Sequence, residues 1–500
     1  MKYFYQFSLL VAPYFLFGQK IDLKWSEEFK RREQVEIIGV NNGNIYGYYV
    51  NNDKEIVLKM FNSDAISIKE QVVNLPLSTK KYKILKCFIL NNLFHLFLIE
   101  SIRKEDKLSL ILVKIDLNFK ADKNAFILDE APDRLSTKEP FIINLSPDSN
   151  KCFIYNSEMN KRNTHEEYSI KVFNSQFTTV EWEKKVQMPY KDEDYTIEKF
   201  AVDNFGNVYC LAKIEIPSKE RERGEDDYKY ALNTFQNKTG KSTELAINFD
   251  KSHITSAQIF PGEKNTLICT GFYDSLKKLN GIFHGIYEDD VSDGFFSIII
   301  DCKSLAIGSK FNNKIDGLYP IKKKGQDRIP YIVKKLYNTG NSGYILLAEQ
   351  YQLIELEFNH GKEKTKSSYY FYCDMVAIEI DEKSAVKSVT RVPKYQVNSI
   401  QPSISSCYND NKLFIFYIDL VENLENFEDK DISHQQSGWL TKKKTCLTMA
   451  KIDFKGKPKK EMIFSCNDLD IYPNIKSAIN VNNNSLIFKT LNQIGILTIN

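Results

Sequence analysis

Beyond its first twenty residues the sequence has no apolar run long enough to cross a bilayer, so no second membrane segment is expected and the mature chain reads as soluble. Charge of one sign is missing as well. Lys and Arg number 68 against 65 Asp and Glu, a net +3 over 500 residues, which is too weak a field to imply nucleic acid or an anionic membrane as partner. The cysteines form no CxxC pair and the six histidines no HxH or HExxH pair, so the usual zinc spacings are absent. There is no GxSxG elbow and no GxGxxG turn. Thr239-Gly240-Lys241-Ser242 has the form of the end of a phosphate-binding loop, but the leading glycine position is held by Phe235. Asp289-Asp290 and Asp293-Gly294 lack the alternate oxygen ligands and closing Glu of a calcium loop. No metal, cofactor or catalytic motif is therefore expected.

What is present begins with an export signature. Lys2 gives a positive start, Tyr3 to Phe17 form an apolar stretch of signal length, and Gly18 precedes a cleavage point before Gln19. The reading is a signal peptide over 1–18 and a mature chain from 19, placed in the periplasm, at the outer membrane or outside the cell. Nine cysteines in such a chain raise the question of disulfides. Cys152, Cys210 and Cys269 sit inside apolar runs, where a thiol behaves as a small hydrophobe. Mostly reduced cysteines are expected, and Cys446 with Cys466 is the pair to check for a bridge.

Long stretches of helical periodicity are missing. Short alternating runs rich in Ile, Val, Tyr and Phe, punctuated by Asn, Gly and Asp, take their place and mark an all-β chain. One run recurs with a turn at its end: Leu58 to Asn62, Val113 to Leu117, Ile170 to Asn174, Leu232 to Gln236, Ile298 to Asp301, Ile378 to Asp381, Ala450 to Asp453 and Leu497 to Asn500. Each copy follows a turn and a second strand, with anchors such as Asn44-Ile45-Tyr46, Asn92-Leu93-Phe94 and Lys412-Leu413-Phe414. An apolar run lies upstream of each pair and a more polar strand downstream. Four strands repeated eight times predict a single β-propeller over 19–500 with eight four-stranded blades, seven being the alternative if one unit is degenerate. Two stacked β-sandwiches are the competing fold. The eighth unit stops after its third strand, and Ile21 to Phe29 is expected to close it, which would remove the open edges. The GH and WD pairs of WD40 blades are absent, and three tryptophans are too few for the blades of quinoprotein dehydrogenases.

The second-to-third strand connection is far longer in the fifth, sixth and seventh units. It creates insertions around 274–294, 350–372 and 419–445, which propeller topology places on one face. At the same edge the second strand ends in an acid in six units, Glu100, Glu158, Glu215, Asp274, Glu349 and Asp419. These predict a negative ring at the channel mouth, or merely polar strand ends.

The sixth unit carries the most distinctive residues: Gly343-Tyr344-Ile345-Leu346-Leu347-Ala348-Glu349-Gln350-Tyr351, Tyr369-Tyr370-Phe371-Tyr372 leading into Asp374 to Asp381, and Arg391-Val392-Pro393-Lys394-Tyr395-Gln396. With Thr270-Gly271-Phe272-Tyr273, they resemble uncharacterised exported β-propeller-like proteins of Bacteroidetes-type bacteria. The resemblance implies export and the propeller but no chemistry. The residues put forward for ligand binding are Glu349, Tyr351, Lys394, Gln396, Tyr273 and Asp274, with Glu349 and Gln396 expected to converge despite their separation in sequence. The functional reading is a monomeric scaffold binding an envelope protein or glycan. The alternatives are a carbohydrate-active enzyme using carboxylates at the channel mouth and a purely structural spacer.

Overall fold

A computed structural model describes residues 21–30, 33–77, 81–102, 106–133, 140–157, 164–221, 226–249, 252–275, 292–315, 318, 329–340, 343–360, 363–397, 404–426, 435–436 and 444–500. The export segment 1–18, Glu158 and much of the insertions 274–294 and 419–445 lie outside these residues. Eight four-stranded antiparallel blades form a ring, and the first strand of the chain completes the last blade. The chain is an eight-bladed propeller.

The innermost strands are Glu36–Asn41, Tyr82–Leu90, Phe141–Leu145, Tyr195–Val202, Ser252–Pro261, Tyr331–Asn338, Ser405–Asn409 and Asn474–Asn482. The two turn signatures of the sequence have separate physical causes. Between inner and second strands the turn needs left-handed backbone, supplied by Asn91 and Asn92 (φ 52 and 60°), Lys264 and Asn265 (φ 52 and 58°) and Asp410 and Asn411 (φ 49 and 57°). After the third strand, an Asx turn leads into the outer strand. Asn62 Oδ1 accepts the N–H groups of Asp64 and Ile66, both at 2.9 Å, and Asp381 Oδ1 those of Lys383 at 2.8 Å and Ala385 at 2.9 Å. That is why the recurring strand so often ends in Asn or Asp.

Burial runs across each blade in a gradient. Second strands such as Lys412–Leu420 are buried on both faces, whereas inner strands such as Glu36–Asn41 are half-buried along the channel and outer strands such as Ser67–Val72 are mostly exposed. The apolar core is divided into eight clusters, one in each gap between blades. In the gap that shuts the ring, Ile487, Ile494 and Ile496 of the eighth blade pack on Val35, Ile45, Val57 and Phe61 of the first. Closure is continued by Ile21–Trp25, which pairs antiparallel with Gly495–Ile499. Trp25 sets its ring edge-on to Phe464 and Phe488, with centroids 5.4 and 5.6 Å away.

One detail differs from expectation. The insertion expected as a loop over 350–372 continues as strand: Tyr344–His360 pairs with Glu363–Ile380 through to His360 opposite Glu363, forming a two-stranded arm on the sixth blade. The cysteines are reduced as expected: all nine are free thiols, eight of them buried, and Cys446 and Cys466 are not bridged.

Candidate functional site

In an antiparallel blade the end of the second strand and the end of the outer strand reach the same face. The structure brings Glu349, from the end of the sixth blade's second strand, together with Lys394 and Gln396 from the connection to the seventh. Lys394 Nζ donates to Glu349 Oε1, and also to Gln396 Oε1 at 3.2 Å. Gln396 Nε2 in turn donates to the Ile418 carbonyl of the seventh blade at 2.5 Å. All three side chains are fully or almost fully buried.

The cluster extends beyond the residues singled out in the sequence. Lys334 Nζ stands 3.0 Å from Glu349 Oε2 in a second ion pair. Asp374 accepts from Arg391 Nη1 at 3.0 Å and from the Lys394 backbone N–H at 3.1 Å. Burial pushes the Glu349 carboxyl up, but Lys394 and Lys334 outweigh it and hold the group below its ordinary range. Sequence reasoning missed Lys334, Asp374 and Arg391. The available signal was the pair Lys334-Lys335 breaking the alternation of an inner strand, where a β-bulge sits between Val333 and Lys335.

Across the gap, Asp419 is fully buried. Its Oδ1 accepts from the Leu420 N–H and Asn423 Nδ2, each at 2.8 Å, while Oδ2 has no hydrogen-bond partner among the described residues. Burial raises this carboxyl's pKa, against the opposing pull of Asn423 and Lys460. Lys460 Nζ is spent on the carbonyls of Pro393, Asn423 and Asn426 at 3.1, 3.2 and 2.9 Å.

Tyr351 sits at the root of the arm beside Tyr372, with ring centroids 5.1 Å apart, and Lys334 Nζ lies 5.9 and 5.7 Å from the two rings. Further out the arm leaves apolar side chains in solvent: Leu353 is 42% exposed, Leu356 42% and Tyr370 41%. Leu353 is in register with Tyr370 on one face of the ribbon, and Leu356 falls on the other. The root is widened by Gln396–Val397, which pairs with Phe371 and Tyr372 and runs parallel to Gln435–Gln436. Tyr273 and Asp274 lie one blade away. Tyr273 is buried against the core of the fifth blade, and Asp274 is half-buried in register with His253.

The expected negative ring does not form as an even circle. Glu215 is exposed, Glu100 and Asp274 are half-buried, and Glu349 and Asp419 are sealed inside. Second strands stand one strand back from the channel, so their ends meet blade gaps rather than the channel mouth.

No family model matches the chain, and no curated protein matches its sequence. Among solved structures it is similar to the β-propeller domain of the Trilobed protease from Pyrococcus furiosus, at 8% identity over 73% of this chain and 96% of that one, with a TM-score of 0.34. A polysaccharide lyase of the ulvan lyase type aligns at 9% identity over 89% and 95%, with a TM-score of 0.37. The Nup133 β-propeller domain of Vanderwaltozyma polyspora aligns at 13% identity over 84% and 100%, with a TM-score of 0.38. Similarity at this level concerns the fold alone, and none of these proteins' activities transfers to this chain.

Proposed function

We propose that this protein is an exported binding scaffold that docks a protein partner of the cell envelope on the face carrying the sixth-blade arm. The arm is the observation that carries the reading. A two-stranded ribbon is marginally stable in water by itself, yet this one extends past the ring with Leu353, Leu356 and Tyr370 exposed over its two faces. Apolar groups on both sides of a projecting ribbon favour a proteinaceous groove that closes around it. The competing reading as a carbohydrate-active enzyme needs two carboxylates that face substrate across a cleft, about 5 to 10 Å apart. Glu349 and Asp419 are both closed off from solvent, and the ammonium of Lys394 already neutralises the first.

The test uses the tagged mature chain and a variant in which 353–370 is replaced by a short turn, each incubated with periplasmic and outer-membrane fractions. The expected result is a protein retained by the full chain and lost by the shortened one, with the melting temperature of the ring unchanged. Identical captured sets would overturn the arm as docking element. Binding on a glycan array that depends on the arm would move the reading to a sugar partner. Export rests on Lys2, the Tyr3–Phe17 run and Gly18, and predicts a mature N-terminus at Gln19, checked by mass spectrometry of the secreted or periplasmic product.

A further inference from the structure

The inner strands of the first, second, fourth, fifth and sixth blades share one irregularity. Each has a β-bulge near the same height, and the residue just past it is Gly39 in the first blade, Ser256 in the fifth, and lysine in the second, fourth and sixth, where the bulge lies between Ile84 and Lys86, Ile197 and Lys199, and Val333 and Lys335. Bulges re-aim the side chains that follow them. An innermost strand has a partner on one side only, so half its carbonyls face the channel and need donors. The lysines reach across to the next blade. Lys86 Nζ donates to the Ile143 carbonyl at 2.7 Å and Lys335 Nζ to that of Ser406 at 3.1 Å, while Lys199 Nζ lies 4.3 Å from the centroid of the Phe260 ring. Asn144 and Ser256 fill intervening gaps in the same way, donating to Phe200 O at 3.2 Å and Tyr331 O at 2.7 Å.

The belt is therefore built of donors, and its three charges are of one sign. None of the three ammonium groups has a carboxylate within ion-pair distance among the described residues. The acid next in sequence, Glu198, is opposed by Lys213 instead. Crowding by the channel wall lowers the pKa of all three lysines, as it does for cations stripped of part of their water. Four blades apart in a ring of eight, Lys86 and Lys335 stand across the channel from one another, with Lys199 midway between them. Beside Lys199 the wall opens into a cleft of about 560 Å³ that includes Asn144, Asn204 and Asn265 and lies at the mouth opposite the arm. A cavity of that volume is in the range that holds a small molecule, and like charges along a low-dielectric channel concentrate counter-ions there.

We propose that the central channel binds a polyvalent oxyanion, seated in the cleft at Lys199 and Asn144 and drawn in by the ring of Lys86, Lys199 and Lys335. Each lysine spends at most one N–H on the described residues, which leaves two for phosphate or sulfate oxygens. The same chemistry could be offered by a free small anion or by the acidic groups of a longer chain entering the channel. Inorganic triphosphate and dextran sulfate represent the two sources. Thermal melts and calorimetric titrations of the full mature chain are run at matched ionic strength against sodium chloride. Triphosphate at a hundredfold excess over its Kd should raise the melting temperature by about 2 to 3 °C. Lys199→Met should weaken binding at least tenfold and Lys199→Arg should retain it. Saturable binding of dextran sulfate alone, lost in Lys199→Met, supports the site with a polymeric source. If neither anion binds beyond the chloride control, or Lys199→Met lowers the melting temperature while leaving anion binding intact, the lysines serve only to cap strand edges and the proposal fails. Lys86→Met and Lys335→Met tested singly, each expected to weaken binding, keep the question decidable should Lys199→Met not fold.

Discussion

Replacing Glu349 by alanine separates a structural from a ligand-binding role for the sixth-blade cluster. The carboxylate is inaccessible to solvent and sits between Lys394, whose side chain is also fully buried, and Lys334, whose side chain is 24% exposed. Without Glu349, Lys334 can turn its ammonium into water. Lys394 cannot, and it keeps only the Gln396 oxygen at 3.2 Å. Removing one member of a buried ion pair costs about 3 to 5 kcal/mol. Unfolding entropy of roughly 2 cal/mol/K per residue means that a cooperatively unfolding ring of this size loses about 1 °C of Tm per kcal/mol, so Glu349→Ala should melt about 3 to 5 °C lower. The difference has a pH signature. Because the folded carboxyl is held below its ordinary value of 4.5, its stabilisation is complete above that value and is lost as pH falls through the folded value. Melts followed by circular dichroism from pH 3 to 8 should therefore show a constant gap between wild type and variant above about pH 5 that narrows on acidification. The paired change Glu349→Leu with Lys394→Met removes both charges and should recover most of the loss. A variant that melts within 1 °C of wild type at pH 7, or a gap that ignores pH, would refute the buried-network reasoning and return Glu349 to the candidates for ligand contact.

Two further outcomes follow from the fold. Deleting 19–29 exposes the edge of Ile494–Ile499 and removes the Trp25 contacts with Phe464 and Phe488, so the truncated chain should aggregate on gel filtration; Trp25→Ala alone should cost about 2 to 3 kcal/mol, and a truncated chain that stays monomeric with native Tm would contradict closure by this strand. Thiol titration with an aromatic disulfide should find no fast-reacting cysteine in the native protein, since eight are buried and burial pushes the half-buried Cys87 thiol up to about 12; the denatured chain should give nine, whereas seven would mean that one pair had bridged.

The sequence alone pointed to eight blades, with seven left open until the ring was seen, and to the strand order within blades and the closing strand, because each depends on a local pattern that recurs along the chain. Alternation marks a strand, and left-handed turns at Asn91-Asn92 or Asp410-Asn411 and Asx turns at Asn62 or Asp381 mark where it ends. Antiparallel topology then sufficed to bring Glu349, Lys394 and Gln396 to one face. Local pattern could not reveal what fills the space between blades. Lys334 meets Glu349 only because a bulge shifts the register of the inner strand after Val333, and Asp419 is sealed off rather than lining a mouth because its strand lies one place back from the channel. The arm over 350–372 looked like a loop because its alternation carries apolar residues on both faces, which no solvated hairpin requires. The three channel lysines are scattered over inner strands far apart in sequence and become neighbours of one another's space only when the ring closes. Tertiary structure decided these points because the dielectric, the partners and the exposure of a charged group are set by the blade beside it, which the group's own strand does not specify.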